Sequence, residues 1–488
     1  MTILDQIASA TRTRVAEEHA LVPLDAMRRR ALATPAPAGF PFERALRADG
    51  MSFICEVKRA SPSKGLIAPD FPYLDIARDY ERAGAAAVSV LTEPSYFQGS
   101  SEHLEQIAAA ISIPVLRKDF VISEYQIWQA RALGAAAVLL IVALLPDAEL
   151  RSHLALAHEL GLTALVEVHD EAETRRALDA GARVLGVNNR DLHTFEVQIS
   201  TTERIAPLVP PDVVLVAESG VSEAATVAHL HAAGVDAILV GEALMRAPDK
   251  ASALATLKSG LPKIKICGLV TRDDVEAVNA TPPDFTGFIF APSRRRLTPD
   301  RAAELRPGLR SFIPPVGVFV DQDPGLVEDL AAAGVIDLIQ LHGHETNAEV
   351  ASLKERTGLP VIKAVRIAED GIGAVTRYPA ADFLLLDSTA GSGQVFDWAS
   401  IPPITPFFLA GGIGPGAIEA ALAVPGVFAV DVSSGAETDG RKDPALIALL
   451  VRRTRLFGRN GRPSAGPRRP TADETAGSRP HPGRKPVT

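Results

Sequence analysis

The sequence predicts two (β/α)8 barrels in tandem, followed by a disordered C-terminal tail. Three observations carry that expectation. Short apolar segments of strand length recur at roughly 20–30 residue spacing, the length of one βα unit, with eight before residue 260 and eight after it. The stretches between them are Ala-rich and often end in Ala-Gly or Leu-Gly, as in RAGAAAV, ALGAAAV, DAGARV, AAGVDA and AAGVID. A glycine there supplies the left-handed position that stops a helix. Finally, 47% of the chain is hydrophobic but only 5% aromatic. The apolar mass is Ala, Val, Leu and Ile, the composition of parallel strands covered by helices.

In order, the first eight strands are expected at 52–59, 86–93, 113–120, 136–144, 163–170, 182–189, 213–220 and 237–244. The second eight are expected at 263–269, 285–292, 313–321, 336–343, 360–367, 382–389, 406–413 and 427–434. The pattern restarts near ATLKSGLPK, which divides the chain into 1–256, 262–456 and a tail, 457–488. Residues 1–50 read as helical. The tail is rich in Pro, Gly and Arg and holds almost no large apolar residue, so it cannot bury enough surface to fold.

Charge and composition exclude several function classes. A net charge of −9 argues against a nucleic-acid surface. Two cysteines, Cys55 and Cys267, permit no disulfide framework or clustered zinc site. The opening MTILDQIASATRTR has no apolar signal core. AAAVLLIVALL is too short to span a bilayer and suits a core strand. A cytoplasmic enzyme is expected, without a membrane or nucleic-acid partner and compatible with a monomer.

Chemistry in such barrels sits at the C-terminal ends of the strands. Polar residues gather at those positions. Strand one ends CEVKRASPSKG, where Glu56 and Lys58 alternate onto one face and Ser61 follows in a loop suited to phosphate. A buried ion pair would account for the Glu-Lys pair alone. Lys118 ends strand three, and Glu167 interrupts the apolar strand five as a candidate base or cation partner for Lys118. Strand six offers Asn188 and Arg190, strand seven Glu218, Ser219 and Gly220, and strand eight Gly241. Glycines after strands seven and eight suit a phosphate held on backbone N–H groups.

The second half repeats the arrangement. Cys267 ends its first strand, where a lone cysteine is ordinarily a small buried hydrophobe. Arginines follow strand two in APSRRRLTP, and Gln340 and His342 end strand four. Asp387 ends strand six, while Gly411, Gly412, Ser433 and Ser434 form a backbone-rich anion cradle.

ICEVKRASPSKG, SVLTEPSYFQGS, LRKDF, LVEVHD, GVNNRDL, AESGV and VGEALM, in this order and spacing, resemble the indole-3-glycerol-phosphate synthase family over residues 1 to about 256. The resemblance implies a cofactor-free, metal-free ring closure of 1-(2-carboxyphenylamino)-1-deoxyribulose 5-phosphate, with loss of CO2 and water. It makes Lys118 the general acid and gives Glu167 and Glu56 the remaining acid–base work. Lys58 would hold the carboxylate or phosphate region, Asn188 and Ser219 would complete the pocket, and Ser61, Gly220 and Gly241 would contact phosphate.

KICGL, FIFAPSRRRLTP, VGVFVD, IQLHG, LLLDS, GSGQVFDW, LAGGIGP and VDVSSGAE resemble phosphoribosylanthranilate isomerase over about 262–455. That resemblance implies an Amadori rearrangement with Cys267 as general base and Asp387 as general acid. A thiol of ordinary pKa near 8.5 would need lowering for this. The family commonly has Pro before its loop-two arginine. Arg294 stands there in this chain, which assigns substrate contact to Arg295, and the segment Thr389–Gln394 is shorter than in many relatives.

Two other readings compete. GGIGPGA follows a strand, opens a helix and precedes Asp431, mimicking a nicotinamide-dinucleotide fingerprint. Only one strand follows it, too few for such a domain. A barrel kept only as a scaffold would have lost its catalytic side chains, and neither half has.

Overall fold

The computed structural model describes residues 2–191, 194–387, 398, 401 and 406–457. Of the expected tail, Phe457 is described, while residues from Gly458 on and the segment Thr389–Gln394 lie outside the described residues.

Sixteen parallel strands close into two eight-stranded barrels. The first is built from β1 (Ser52–Val57), β2 (Ala87–Leu91), β3 (Val115–Lys118), β4 (Ala137–Ile141), β5 (Thr163–Val168), β6 (Val184–Asn188), β7 (Val214–Glu218) and β8 (Ala237–Val240). The second follows as β9 (Lys263–Cys267), β10 (Phe285–Ile289), β11 (Pro315–Phe319), β12 (Leu338–Leu341), β13 (Val361–Arg366), β14 (Phe383–Asp387), β15 (Phe407–Ala410) and β16 (Val427–Val432). β1 pairs with both β2 and β8, and β9 with both β10 and β16, so neither ring has an edge. Every expected strand is present, and those whose ends are described are shorter than read, because the polar residues at their C-terminal ends have already left the ladder for the loop. GGIGPGA lies between β15 and β16, and β16 closes on β9, so the motif sits in a barrel and not in a dinucleotide fold.

Strand alternation sets the use of each side chain. Phe53, Cys55 and Val57 face the helices, whereas Ile54 packs inside with Leu116, Leu139, Leu165, Val216 and Leu239. One step along the same inward rows, at the C-terminal rim, come Glu56, Lys118, Glu167 and Glu218. The period of two that fills the barrel with aliphatic side chains thus delivers the charged ones to its mouth.

The N-terminal extension forms α1 (Ile3–Leu21), α2 (Leu24–Ala33) and α3 (Pro41–Leu46). A capping box starts α1: the Thr2 hydroxyl accepts from the Asp5 N–H, and the Asp5 carboxylate accepts from the Thr2 N–H. Arg14 then fastens α1 to the barrel, donating from Nη2 to both Asp119 oxygens at 2.8 and 3.0 Å. Asp119 also accepts from Arg117 at 3.0 Å and from Thr92 at 2.7 Å. Burial pushes the Asp119 carboxyl up, but Arg117 and Arg14 outweigh it and hold the group below its usual range. This network ends one residue from Lys118.

The barrels meet away from the first mouth. Arg452 pairs with Asp49 at 3.6 Å, and His231 contacts the Arg455 carbonyl oxygen at 3.3 Å and stacks on Phe457. Asp49 and His231 precede β1 and β8, so both contacts lie at the N-terminal ends of those strands. Among the described residues no helix is long and apolar enough to cross a membrane.

Removing Arg14 would leave Asp119 buried with one cation fewer. Arg14→Ala is expected to destabilise the first barrel by about 1–3 kcal/mol, the usual cost of an under-satisfied buried polar group. Calorimetry should show the transition of that barrel lowered and that of the second unmoved.

Candidate active sites

A cavity of about 700 Å³ opens at the mouth of the first barrel. All eleven residues expected there line it: Glu56, Lys58, Ser61, Lys118, Glu167, Asn188, Arg190, Glu218, Ser219, Gly220 and Gly241. Ile3, Leu4 and Ile7 of α1 close one side. Sequence reasoning missed these three, since nothing local ties the first turns of a helix to a distant pocket.

Lys118 is the hub. Its Nζ lies 2.9 Å from Glu167 Oε2 and 3.3 Å from Glu218 Oε2, with its side chain only 13% exposed. Burial disfavours the ammonium, but Glu167, Glu218 and Glu56 outweigh burial and raise its pKa. Glu167 also accepts from Asn188 Nδ2 at 3.2 Å. Burial pushes the Glu167 carboxyl up, and Lys118 with His169 pulls it well below the carboxylate range.

Glu218 takes the opposite course. Burial, with repulsion from Glu167 and Glu56, outweighs the pull of Lys118 and raises it to about 7. Its Oε1 is buried without a hydrogen-bond partner. One lysine thus serves two carboxylates, and the second is held as an acid near neutrality. The sequence placed Glu218 at a strand end without assigning it a role. The signal was its register: it pairs with Asn188 across β6 and β7.

Two glycines make room for these acids. A Cβ on Gly186 would stand 2.2 Å from Glu218 Oε1, and one on Gly241 would stand 2.3 Å from Glu56 Oε1 and 3.0 Å from Lys58 Nζ. Lys58 and Glu56 pair at 2.5 Å. Gly241 was expected only as a phosphate contact; its immediate neighbour is this ion pair. Ser219 and Gly220 turn after β7 with φ of 67° and 85°.

In the second barrel Cys267 ends β9 and Asp387 ends β14, three strands away around the ring. Gly287 leaves space for the thiol, since a Cβ there would stand 2.6 Å from Cys267 Sγ. Burial pushes the Cys267 pKa up, against the pull of Lys265. The lowering that its role called for is therefore absent from the described residues. Lys265 itself pairs with Asp431 at 2.8 Å. Asp387 Oδ2 lies 3.4 Å from His342 Nε2, and His342 Nδ1 lies 3.4 Å from Gln340 Nε2.

Glu437 organises the far side. It accepts from Arg295 at 2.5 and 2.8 Å, from Arg294 at 2.5 Å and from Lys442 at 2.9 Å. Burial pushes its carboxyl up, but Arg295 and Lys442 hold it down at about 2. Arg294 is 58% exposed and Arg295 only 17%. Arg295 also lies over Gly268, where a Cβ would meet its Cδ at 2.5 Å, so it is the arginine beside Cys267. Ser433 donates to the Cys267 carbonyl oxygen at 3.3 Å, and Ser434 opens the following turn. Gly411 and Gly412, with φ of 103° and 67°, form the turn after β15.

Residues 4–257 match the family model "Indole-3-glycerol phosphate synthase", and residues 264–453 match "N-(5'phosphoribosyl)anthranilate (PRA) isomerase". The chain belongs to the indole-3-glycerol phosphate synthase family, with a phosphoribosylanthranilate isomerase domain fused behind it. The indole-3-glycerol phosphate synthase of Ruminiclostridium cellulolyticum is 48% identical over 256 residues, covering 52% of this chain and 98% of that protein. Indole-3-glycerol phosphate synthase 1 of Streptomyces coelicolor is 49% identical over 258 residues, covering 53% and 95%. The multifunctional tryptophan biosynthesis protein of Schizosaccharomyces pombe is 36% identical over 467 residues. That match covers 85% of this chain and 61% of the relative, so the chain spans about three fifths of it.

In the synthase barrel Gly241 has φ of −121°, not the positive φ that demands glycine, so Gly241→Ala tests chiefly the space beside it. The new methyl must displace Glu56 and Lys58. Synthase kcat/KM should fall at least about 10-fold, as expected for misplaced reacting groups. Isomerase turnover of the same preparation should be unchanged.

Proposed function

We propose that the two barrels work in series on phosphorylated small molecules in the cytoplasm, 262–456 acting first and 1–256 second. The isomerase barrel converts N-(5-phosphoribosyl)anthranilate to 1-(2-carboxyphenylamino)-1-deoxyribulose 5-phosphate. The synthase barrel closes that product to indole-3-glycerol phosphate, releasing CO2 and water. The reading is compatible with a monomer and calls for neither nucleic acid nor membrane.

The observation that carries the synthase assignment is Lys118 set between Glu167 and Glu218. Closing a C–C bond from the carboxyl-bearing aryl carbon onto the ketone requires a proton on the ketone oxygen; loss of CO2 from that carbon restores the aromatic ring, and dehydration then takes the new hydroxyl as water and a proton from the C1 methylene. Lys118, kept cationic by its carboxylates, is the proton donor. Glu167, kept ionised beside it, accepts the methylene proton, and Glu56 shares the dehydration. Lys58 draws the substrate carboxylate or phosphate region into place, and Asn188, Arg190 and Ser219 fix the remainder. Ser61 and the turns at Gly220 and Gly241 take the phosphate.

In the isomerase barrel Asp387 protonates the furanose ring oxygen as the ring opens, and Cys267 takes the proton from C2. Lys265 supports the thiolate against its burial. Arg295 meets the anthranilate carboxylate, Gln340 and His342 orient Asp387, and Gly411, Gly412, Ser433 and Ser434 hold the phosphate.

The two sites should fail separately. Lys118→Ala, fed phosphoribosylanthranilate, should accumulate the carboxyphenylamino-deoxyribulose phosphate. Asp387→Asn should leave that feedstock unreacted yet still make indole-3-glycerol phosphate when given the intermediate. Each loss should be about 10²–10⁴ in rate, and mixing the two variants should restore the sequence. If one substitution stops both steps in a folded protein, the serial two-site reading is wrong.

A further inference from the structure

Among the described residues, His169 follows β5 beside Glu167 and has no part in the chemistry above. It precedes the helix Glu171–Asp179. The side chain of Asp170 caps that helix, accepting from the Ala172 and Glu173 N–H groups at 2.8 Å. The cap fixes the first turn, and with it Glu173. Glu173 Oε2 accepts from the His169 backbone N–H at 2.9 Å and lies 3.0 Å from Nδ1. With Nδ1 so held, the ring turns Nε2 toward Glu167 Oε1, at the ion-pair distance of 3.4 Å. The His169 side chain is 16% exposed.

We propose that His169, clamped by Glu173, is a positioning residue that fixes the orientation and charge of the Glu167 carboxylate during ring closure. The proposal rests on the synthase reading and on Glu167 as its base. Glu167 then has two hydrogen-bond donors and one charge contact, His169 Nε2 making no hydrogen bond to it. Lys118 on β3 takes Oε2, Asn188 on β6 takes Oε1, and His169 faces Oε1 from the loop after β5. Glu56 on β1 and Glu218 on β7 also act on Lys118, and Glu218, raised to about 7, adds negative charge beside Glu167 once it ionises. A second cation on the far side of Glu167 offsets that charge. Burial disfavours the imidazolium, but Glu167 and Glu173 outweigh it and lift His169 to about 10, so the ring is charged throughout the working range.

The direction of the pH effect follows. Removing the cation raises the Glu167 pKa toward its ordinary value. The ionised base is then lost at a higher pH as pH falls, so the acid limb of the kcat profile moves upward. His169→Ala should lower synthase kcat roughly 10-fold with little change in KM, as for a displaced reacting group. Its acid limb should move up by roughly one pH unit, as for loss of a neighbouring opposite charge. His169→Asn, which keeps a donor but not the charge, should recover most of kcat and keep the shifted limb. Glu173→Gln should shift the limb in the same direction by freeing the ring to deprotonate. Isomerase turnover of each preparation controls for folding.

An unchanged kcat and limb in His169→Ala would overturn the proposal. So would a loss of stability alone, with the pH profile of the remaining activity intact. Glu167→Gln, assayed in parallel, separates the two levels: if it closes the ring at the wild-type rate, the assignment of Glu167 fails, and the role of His169 fails with it.

Discussion

An ammonium enclosed at the mouth of a barrel has to be matched by negative charge, and Lys118 is matched by more than one carboxylate. Glu167 and Glu218 both reach it, and Glu56 acts on it from the neighbouring pair with Lys58. Burying several like charges around one cation is unfavourable unless one of them gives up its charge. The geometry selects which: Glu167 has Asn188 and His169 in addition to Lys118, whereas Glu218 has one buried oxygen with no partner. Glu167 stays ionised and Glu218 rises toward neutrality. Two carboxyl groups of the same chemistry are thereby separated into a base and an acid by their neighbours alone.

The rest of the first barrel serves this cluster. Gly186 and Gly241 lie on the inner wall where any side chain would collide with Glu218 or Glu56. Arg14 ties α1 to Asp119, next to Lys118, and α1 places Ile3, Leu4 and Ile7 against the cavity. Apolar walls on one side strengthen every charge interaction on the other. The second barrel solves a related problem with the signs reversed. There a single buried carboxylate, Glu437, gathers Arg294, Arg295 and Lys442 beside Cys267.

Much of this was legible in the sequence because both signals involved are local. Aliphatic runs of strand length at βα spacing gave sixteen strands, and the polar residues interrupting those runs at period two gave Glu56, Lys118 and Glu167. Strand ends were read too long, as at Asp119 and Phe120, which belong to the loop although they continue an apolar segment. What the sequence withheld is non-local. The pairing of Glu218 with Lys118 depends on barrel closure, and the clamp of Glu173 on His169 depends on the cap at Asp170. The loop pattern already pointed to Arg295 over Arg294, but its neighbours Gly268 and Glu437 are a property of the fold. The raised Cys267 thiol shows the same limit, because burial is a property of the fold and not of the motif KICGL.

The central claim is that the charge cluster around Lys118 holds one carboxyl neutral near physiological pH while its neighbour stays ionised. Infrared difference titration of the protein with isotope-labelled glutamate reads this directly. The account predicts one carboxyl band titrating well above the ordinary glutamate range, near pH 7, that disappears in Glu218→Gln and survives in Glu167→Gln. If every glutamate carboxyl ionises within the ordinary range, or if the high-pH band belongs to Glu167, the separation of roles described for this site is contradicted.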